Sequence, residues 1–190
     1  MAFETILEEK SRIKMPTLIS VGNDCSTYIV DGECAYEIKN RDVMFFIDFE
    51  FVYALLPDDI KEKISIEKQH CDAIRISMSE QIIIIDLFEL SMNEKREPIE
   101  YLKKHYYCLK FVDYLLGKIK RENVKVRVND KEVEIKGLKV NAFVIANPTI
   151  AKELSEKIGK LEFSHYFRDL ASKYPIKKPI VVECQTLTRS

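Results

Sequence analysis

Two aspartates stand at positions where a strand usually carries an apolar residue. Asp72 opens the segment 71–77, and Asp86 interrupts the apolar segment 82–88, which begins with a run of isoleucines. Aspartate is depleted in strand interiors, and an unpaired buried carboxylate is costly. Two such exceptions on neighbouring strands predict a divalent cation or a hydrogen-bond network that compensates their charge. These residues alone leave open the alternative that both aspartates lie at strand ends and face water.

The elements that must position these aspartates follow from the surrounding pattern. Segments 71–77 and 81–89 are predicted to be strands joined by the polar turn 78–81. Residues 97–120 are predicted to form a helix, because Pro98 suits a first helical turn and apolar residues keep three- and four-residue spacing beyond it. Segment 140–146 is predicted to be a buried strand, followed by a helix from Asn147 to about residue 158. Together these elements predict a mixed central sheet with helix 97–120 packed on one face.

The flanking segments predict further hairpins. Alternating residues around Asp31-Gly32 predict a β-hairpin over 26–38, in which Val30 faces Glu33 across a two-residue turn. This register separates Cys25 from Cys34 and argues against a disulfide between them. The remaining predictions are a hairpin over 125–135 that turns at 129–130, helices over 4–14 and 165–173, and strands over 17–20 and 180–184.

Segment 43–56 is almost wholly apolar and fits either a buried strand or a buried helix. A strand places the carboxylates of Asp48 and Glu50 on one face, as a metal-ligand pair. A helix points them apart.

Composition predicts the broad class of the protein. The chain has 190 residues, 46% of them hydrophobic and 32% charged, which is typical of a single globular domain over 1–190. No apolar run is long enough for a membrane span, and the first residues lack the basic start of a signal peptide, so we expect a soluble, intracellular (cytoplasmic) protein. The five cysteines are scattered without a C-x-x-C pair, so neither a zinc site nor a secreted disulfide framework is expected. Abundant lysine and glutamate with scarce glutamine is typical of thermophilic proteins.

Charge is unevenly distributed along the chain although its formal sum is only −1. Residues 1–94 hold 9 basic and 19 acidic side chains, whereas residues 95–190 hold 21 basic and 12 acidic ones. A basic half gathered on one face would suit a polyanion such as DNA or RNA. The alternative is that the two halves intermix in space and cancel.

The element order, with an acidic residue on each hairpin strand, resembles the core of the PD-(D/E)xK nuclease superfamily, which includes restriction endonucleases and Holliday-junction resolvases. In that family an Asp near the start of one hairpin strand precedes a (D/E)-x-K on the next by a dozen or more residues, and a helix, a buried strand and a further helix follow. Asp72 and Asp86 fit this spacing. The resemblance covers about residues 50–170, with residues 1–42 as an N-terminal helix and hairpin outside the core. It implies an α/β (α+β) fold with a restriction endonuclease-like core and extra β-hairpins. It also implies that Asp72 and Asp86 are the catalytic residues and the ligands of Mg²⁺ or Mn²⁺.

The chain departs from the family at the motif lysine, whose position is taken by Phe88. In the family this lysine orients or activates the attacking water, which a phenylalanine does not do. Some relatives supply the lysine from the following helix, but Lys103 and Lys104 both lie over about 100° from the centre of the apolar stripe on a helical wheel. His105 lies near the stripe, where it either replaces a polar helix residue that relatives aim at the site or forms a core-edge hydrogen bond to a backbone carbonyl.

Other polar residues have open roles in this comparison. Glu50 is the candidate for an acidic residue that many relatives contribute from the preceding helix. Glu89 is expected to point away from Asp86 and Phe88 if the strand is regular. Lys95, in the loop after the second strand, remains a further candidate for the missing lysine.

Three functions remain open. The first is a metal-dependent nuclease with an altered catalytic residue. The second is a catalytically inactive protein of the same fold that binds DNA, RNA or another protein, with a homodimer as a further alternative. The third is a DEDD-type 3′–5′ exonuclease, suggested by the D-x-E of Asp48 and Glu50, although the following strands fit that family less well.

Overall fold

The structure is a computed structural model that describes residues 17–21, 26–31, 34–39, 43–63, 70–79, 81–91, 96–121, 127–128, 131–132, 136–162 and 178–186. The predicted helices over 4–14 and 165–173 lie outside these residues. Glu50 lies within them as a helical backbone position, but its side chain is not described.

The described residues form eleven strands and four helices. The first half comprises β1 (Thr17–Val21), β2 (Ser26–Asp31), β3 (Cys34–Lys39), β4 (Val43–Asp48), α1 (Phe49–Leu55), α2 (Asp58–Lys63), β5 (Ala73–Ser79) and β6 (Ile82–Ser91). The second half comprises α3 (Pro98–Arg121), β7 (Arg127–Val128), β8 (Lys131–Glu132), β9 (Gly137–Ala146), α4 (Pro148–Lys160), β10 (Ile180–Glu183) and β11 (Gln185–Thr186). Apart from the two helices that lie outside the described residues, the elements predicted around the aspartates and in the flanking hairpins are present.

Five strands form the central mixed sheet, in the order β10-β9-β6-β5-β4. Strands β4, β5 and β6 are antiparallel neighbours, whereas β6 pairs with β9 and β9 with β10 in parallel. The predicted mixed sheet flanked by helices is therefore confirmed. The sheet also includes Val43–Asp48 and Ile180–Glu183, outside the range 50–170 that the sequence predicted for the core.

Strand β6 lies at the centre of this sheet because its side chains are apolar on both faces. Ile83, Ile85 and Leu87 pack in the core that contains α3, together with Leu102 and Leu109. Phe88 and Leu90 point the other way, into a second core shared with the small sheet. A strand buried on both faces explains the near-continuous apolar sequence that Asp86 and Glu89 interrupt.

A second, four-stranded sheet, in the order β1-β2-β3-β11, covers this other face. The predicted β2–β3 hairpin is present, but its register was predicted wrongly: Val30 pairs with Ala35 rather than Glu33, and Asp31 pairs with Cys34. The acidic and basic halves of the sequence share the central sheet, since β5 and β6 come from one half and β9 and β10 from the other.

Segment 43–56 combines the two conformations that the sequence left as alternatives. Strand β4 ends at Asp48, and α1 begins at Phe49. The D-x-E pair of Asp48 and Glu50 is therefore split between a strand and a helix, and the strand arrangement that would place both carboxylates on one face is not formed.

Four cysteines form two disulfides, contrary to the sequence-based expectation of no disulfide framework. Cys34 is joined to Cys184, and Cys71 to Cys108. The partners are 150 and 37 residues apart, so only the tertiary fold brings them together. Within the described residues, no helix is both long and apolar enough to cross a membrane.

Candidate functional site

Asp86 belongs to a fully paired polar network between the two sheets. Its side chain is 1% exposed, and Oδ2 accepts a hydrogen bond from Arg75 Nε at 2.8 Å and forms an ion pair with the Arg75 terminal nitrogen at 2.6 Å. Its Oδ1 accepts a second hydrogen bond, from Asn141 Nδ2 at 2.7 Å. Arg75 and Asn141 occupy the positions directly across from Asp86 on the neighbouring strands. The hydrogen-bond network that the sequence offered as one of two explanations is therefore the one found for Asp86.

The structure does not bring Asp72 and Asp86 together. Arg75 pairs with Asp86 and Ala73 with Phe88 in the β5–β6 register, and the Asp72 amide donates to the Phe88 carbonyl at 2.9 Å. Continuing this register by one residue places Asp72 opposite Glu89. Because side chains alternate along a strand, Asp72 and Asp86 belong to opposite faces of the hairpin.

Asp72 anchors the point at which β5 begins. The Leu90 amide donates a 2.6 Å hydrogen bond to Asp72 Oδ2, and the Phe49 amide donates to the Asp72 carbonyl at 3.0 Å. The carboxylate is buried, at 7% exposure. Asp72 thus joins α1, β5 and β6 at one end of the hairpin.

Glu89 carries the second carboxylate at this end. Its side chain is fully buried, and Oε1 accepts a 2.7 Å hydrogen bond from Arg96 and a 2.5 Å hydrogen bond from Lys104 Nζ. Among the described residues, Oε2 of Glu89 has no hydrogen-bond partner. We call Asp72, Glu89, Arg96 and Lys104 the Glu89 cluster.

Burial is the largest cause of a pKa for Glu89 well above the usual value, and the neighbouring Asp72 carboxylate raises it further. Lys104 and Arg96 oppose this shift by stabilising the charged form. The charged Asp72 carboxylate thus disfavours the charged form of Glu89. A bound cation or nearby positive side chains reduce the repulsion between two neighbouring carboxylates most effectively.

Polar groups continue from Glu89 toward the start of α4. The hydroxyls of Ser91 and Tyr101 are hydrogen-bonded to each other in the buried interior. The Arg96 guanidinium lies over the Tyr101 ring, 5.5 Å from its centroid. A cavity of about 130 Å³ adjoins them, and its walls are Arg96, Tyr101, Thr149, Ile150, Glu153, Leu154 and Lys157.

His105, one residue after Lys104, has a structural role. Its ring is fully buried, and Nε2 lies 3.1 Å from the Phe143 carbonyl, so that nitrogen carries the proton. Burial lowers the pKa of His105 to about 4, although the Phe143 and Tyr101 carbonyls oppose the shift. Of the two roles that the sequence left open, the core histidine bonded to a backbone carbonyl is the one observed.

Phe88, at the position of the motif lysine, is a core residue on the Asp86 face. Its ring stacks on Phe143 with centroids 5.2 Å apart and an interplanar angle of 16°. Glu89 points to the opposite face, as expected for a regular strand, because β6 keeps its register from Ile82 to Ser91.

Sequence reasoning did not identify Lys104 as a partner of Glu89. The helical wheel placed Lys104 away from the apolar stripe, and the lysine stem nevertheless reaches the buried carboxylate from the margin of the helix face, with its side chain 19% exposed. The available signal was a second acidic residue, Glu89, in a strand that is otherwise apolar on both faces.

No group of three or more His, Cys, Asp or Glu side chains arranged to hold a metal ion occurs among the residues whose placement is described. The Glu89 cluster contains two carboxylates, those of Asp72 and Glu89.

Comparison of the chain with protein-family models, with curated proteins and with solved structures gives no match. Functional inference therefore rests on the geometry of the chain itself.

Proposed function

We propose that this protein is a metal-dependent nuclease with a restriction endonuclease-like core, whose site is formed by Asp72, Glu89 and Lys104 rather than by Asp72 and Asp86. The observation that carries the proposal is the 2.5 Å contact between Lys104 Nζ and Glu89 Oε1, with Asp72 across from Glu89 and its Oδ2 bonded to the adjacent Leu90 amide. An acidic pair beside one lysine is the set of side chains expected of the PD-(D/E)xK superfamily.

The topology of the chain supports this proposal. The antiparallel strands β5 and β6 carry the two acids, α3 follows them, and β9 then pairs in parallel with β6 before α4. This is the order of hairpin, helix, buried strand and helix that the resemblance implies. Fold analogy does not by itself establish function, so the side-chain cluster carries the argument.

The motif fits better when it is moved along β6. Glu89-Leu90-Ser91 takes the place of (D/E)-x-K, with Ser91 at the lysine position. Lys104 on α3 then supplies the amino group, as the following helix does in some relatives. The interval from Asp72 to Glu89 satisfies the spacing of a dozen or more residues, and both belong to the same face of the hairpin.

The residues present suit Mg²⁺ or Mn²⁺ held by Asp72 and Glu89. Oε2 of Glu89 is buried without a partner among the described residues, and hard divalent cations prefer carboxylate oxygens with several waters retained. A cation bound there would stabilise charge on a phosphate group. Lys104 would orient the attacking water, and Arg96, with 30% of its side chain exposed, would contact the anionic substrate at the mouth of the site.

The decisive experiment compares Glu89→Gln with Asp86→Asn, after circular dichroism has shown that both variants fold. Mn²⁺ binding is measured by titration calorimetry, and cleavage is measured on labelled duplex DNA, single-stranded DNA, branched DNA and RNA. Glu89→Gln is expected to weaken Mn²⁺ binding at least tenfold and to abolish cleavage, whereas folded Asp86→Asn retains both. Mn²⁺-dependent cleavage that survives Glu89→Gln and is lost in Asp86→Asn would overturn the assignment of the site.

A second candidate function is a catalytically inactive scaffold that binds nucleic acid or another protein. It is favoured by the two cationic side chains that already neutralise Glu89, since Arg96 and Lys104 both donate to Oε1. In that case the wild type neither binds Mn²⁺ nor cleaves. If it still binds nucleic acid, the affinity should fall steeply as the salt concentration rises.

A further inference from the structure

The Cys71–Cys108 disulfide joins the two elements that carry Asp72 and Lys104. Cys71 directly precedes Asp72, and Cys108 lies one helical turn after Lys104 on α3. The two Cα atoms are 6.0 Å apart, and the Cys71 amide donates to Cys108 Sγ at 3.0 Å. The start of β5 is thereby attached to the middle of α3.

Glu89 is fixed independently of these two attachment points. It belongs to β6, which pairs on both sides with β5 and β9 over most of its length. Asp72, by contrast, precedes β5, and Lys104 depends on how α3 sits over the sheet. The position of Lys104 relative to Asp72 and Glu89 therefore depends on the distance between the start of β5 and α3, and the disulfide fixes that distance.

We infer that Cys71 and Cys108 are positioning residues, whose disulfide holds Asp72 and Lys104 at Glu89 and makes the site complete only in the oxidised protein. This inference rests on the proposed function for its catalytic meaning, whereas the positioning itself is a property of the folded chain. Both cysteines are fully buried, so a thiol reductant reaches them only when the structure opens locally. Reduction consumes two electrons and two protons from a dithiol, breaks the S–S bond and leaves two thiols, while the dithiol becomes a disulfide.

The other disulfide provides a matched control. Cys34 and Cys184 pack in the core between the two sheets, with Phe88 and Leu90, and join β3 to the residue before β11. Removing this crosslink lowers stability without releasing Cys71 from α3.

The test follows the amide of Leu90, which donates to Asp72 Oδ2, by native-state hydrogen exchange in Cys71→Ala/Cys108→Ala and in Cys34→Ala/Cys184→Ala. The Val144 amide, on β9 between the paired strands β6 and β10, serves as the reference for global opening. In the first variant we expect exchange at Leu90 to accelerate at least tenfold more than at Val144. In the control variant the two amides should accelerate equally. Equal acceleration in both variants would overturn the inference.

A second measurement tests the inference if Cys71→Ala/Cys108→Ala does not fold. Wild-type protein is treated with dithiothreitol in mild urea and then freed of the reductant. One aliquot is alkylated so that mass spectrometry locates the reduced cysteines, and a second, unalkylated aliquot is used for Mn²⁺ binding and reoxidation. Selective reduction of Cys71–Cys108 should weaken Mn²⁺ binding at least tenfold, and reoxidation should restore it. If the reduced protein binds Mn²⁺ as tightly as the oxidised one, the inference fails while the proposed function stands. If Leu90 responds but neither form binds Mn²⁺, the positioning stands and the proposed function fails.

Discussion

The two faces of the β5–β6 hairpin each bury a carboxylate, but the two are satisfied to different degrees. Asp86 receives two hydrogen bonds and a further ion-pair contact, and both its oxygens have partners from directly opposing residues, Arg75 and Asn141. Glu89 receives both of its bonds at Oε1, and its Oε2 has none from the described part of the chain. Burying a polar atom without a hydrogen-bond partner costs free energy, so such an atom is retained only where another interaction offsets that cost.

This difference separates a structural carboxylate from a candidate functional one. Asp86 is surrounded by its own strand neighbours and joins three strands of the sheet. Glu89 instead draws its partners from the segment after β6 and from α3, and it lies near a second acid. Acidic residues whose pKa values are shifted by specific charged partners beside a cavity are often found at functional sites, although structural ion pairs shift pKa values as well.

Replacing Lys104 tests most strongly whether the Glu89 cluster is functional. Loss of a positioned proton-transfer group lowers rates by roughly 10²–10⁴-fold, so we expect Lys104→Met to reduce metal-dependent cleavage by about that factor. Initial rates on the preferred labelled substrate measure it. The matched control is Lys103→Met, because Lys103 is the exposed neighbour on the same helix. Equal loss in both variants would remove Lys104 from the site.

Removing Arg75 tests the structural character of the Asp86 network. Arg75→Met leaves the buried Asp86 carboxylate without its cation, and breaking a buried ion pair in this way costs about 3–5 kcal/mol of unfolding free energy. Urea denaturation measures the loss. The double variant Arg75→Met/Asp86→Leu should recover most of it, since no unpaired charge remains. A double variant as unstable as the single one would contradict this explanation.

The pH dependence of the unfolding free energy tests whether His105 is a neutral core residue rather than a member of the polar cluster that contains Lys104. Its folded pKa of about 4 lies below the ordinary 6.5, so the unfolded chain takes up the proton first as pH falls. Stability should therefore be fully present above pH 6.5 and fall by about 3 kcal/mol as pH drops from 6.5 to 4. Glu89, whose pKa is raised, has the opposite dependence, so the comparison must be with His105→Gln in the same background. Parallel wild-type and variant curves would contradict the assignment.

Replacing Asn141 is expected to have the smallest effect on the unfolding free energy. Asn141→Ala removes one hydrogen bond to a charged acceptor that keeps Arg75, so we expect a loss of roughly 1.5–3 kcal/mol in unfolding free energy. Chemical denaturation measures it, and Mn²⁺ affinity should not change. A change in that affinity would mean that the two faces of the hairpin are coupled.

Much of the fold was predictable because its signals are local. The isoleucine run of β6, the apolar stripe of α3 and the Asn147 cap each specify an element within a short segment, and all three elements are present. The β2–β3 register was missed, since Asp31-Gly32 predicts a turn but does not fix which residues face each other across it. Segment 43–56 was ambiguous because an apolar run has no period, and the structure divides it between β4 and α1.

The candidate site was only half predictable. Asp72 was identified as an anomaly in its strand, and the structure places it in the Glu89 cluster. Asp86 was chosen as its partner by spacing, but strand alternation assigns the two aspartates to opposite faces. Lys104 was missed because a wheel describes where a side chain leaves the helix and not how far a long stem reaches. The disulfides were missed because their partners meet only in the folded chain.

The pairing of Cys34 with Cys184 has a consequence for disulfide formation while the chain is being synthesised. Strands β1, β2 and β3 leave the ribosome early, whereas β11 and the partner of Cys34 follow 150 residues later. At about 5–20 residues per second, that interval lasts roughly 8–30 s. Until then the small sheet has an open edge at β3, and Cys34 is a free thiol while Cys71 and then Cys108 emerge. Nascent chains must therefore either delay oxidation or correct a wrong disulfide. The small sheet is completed only when residues 184–186 are synthesised and β11 pairs with β3.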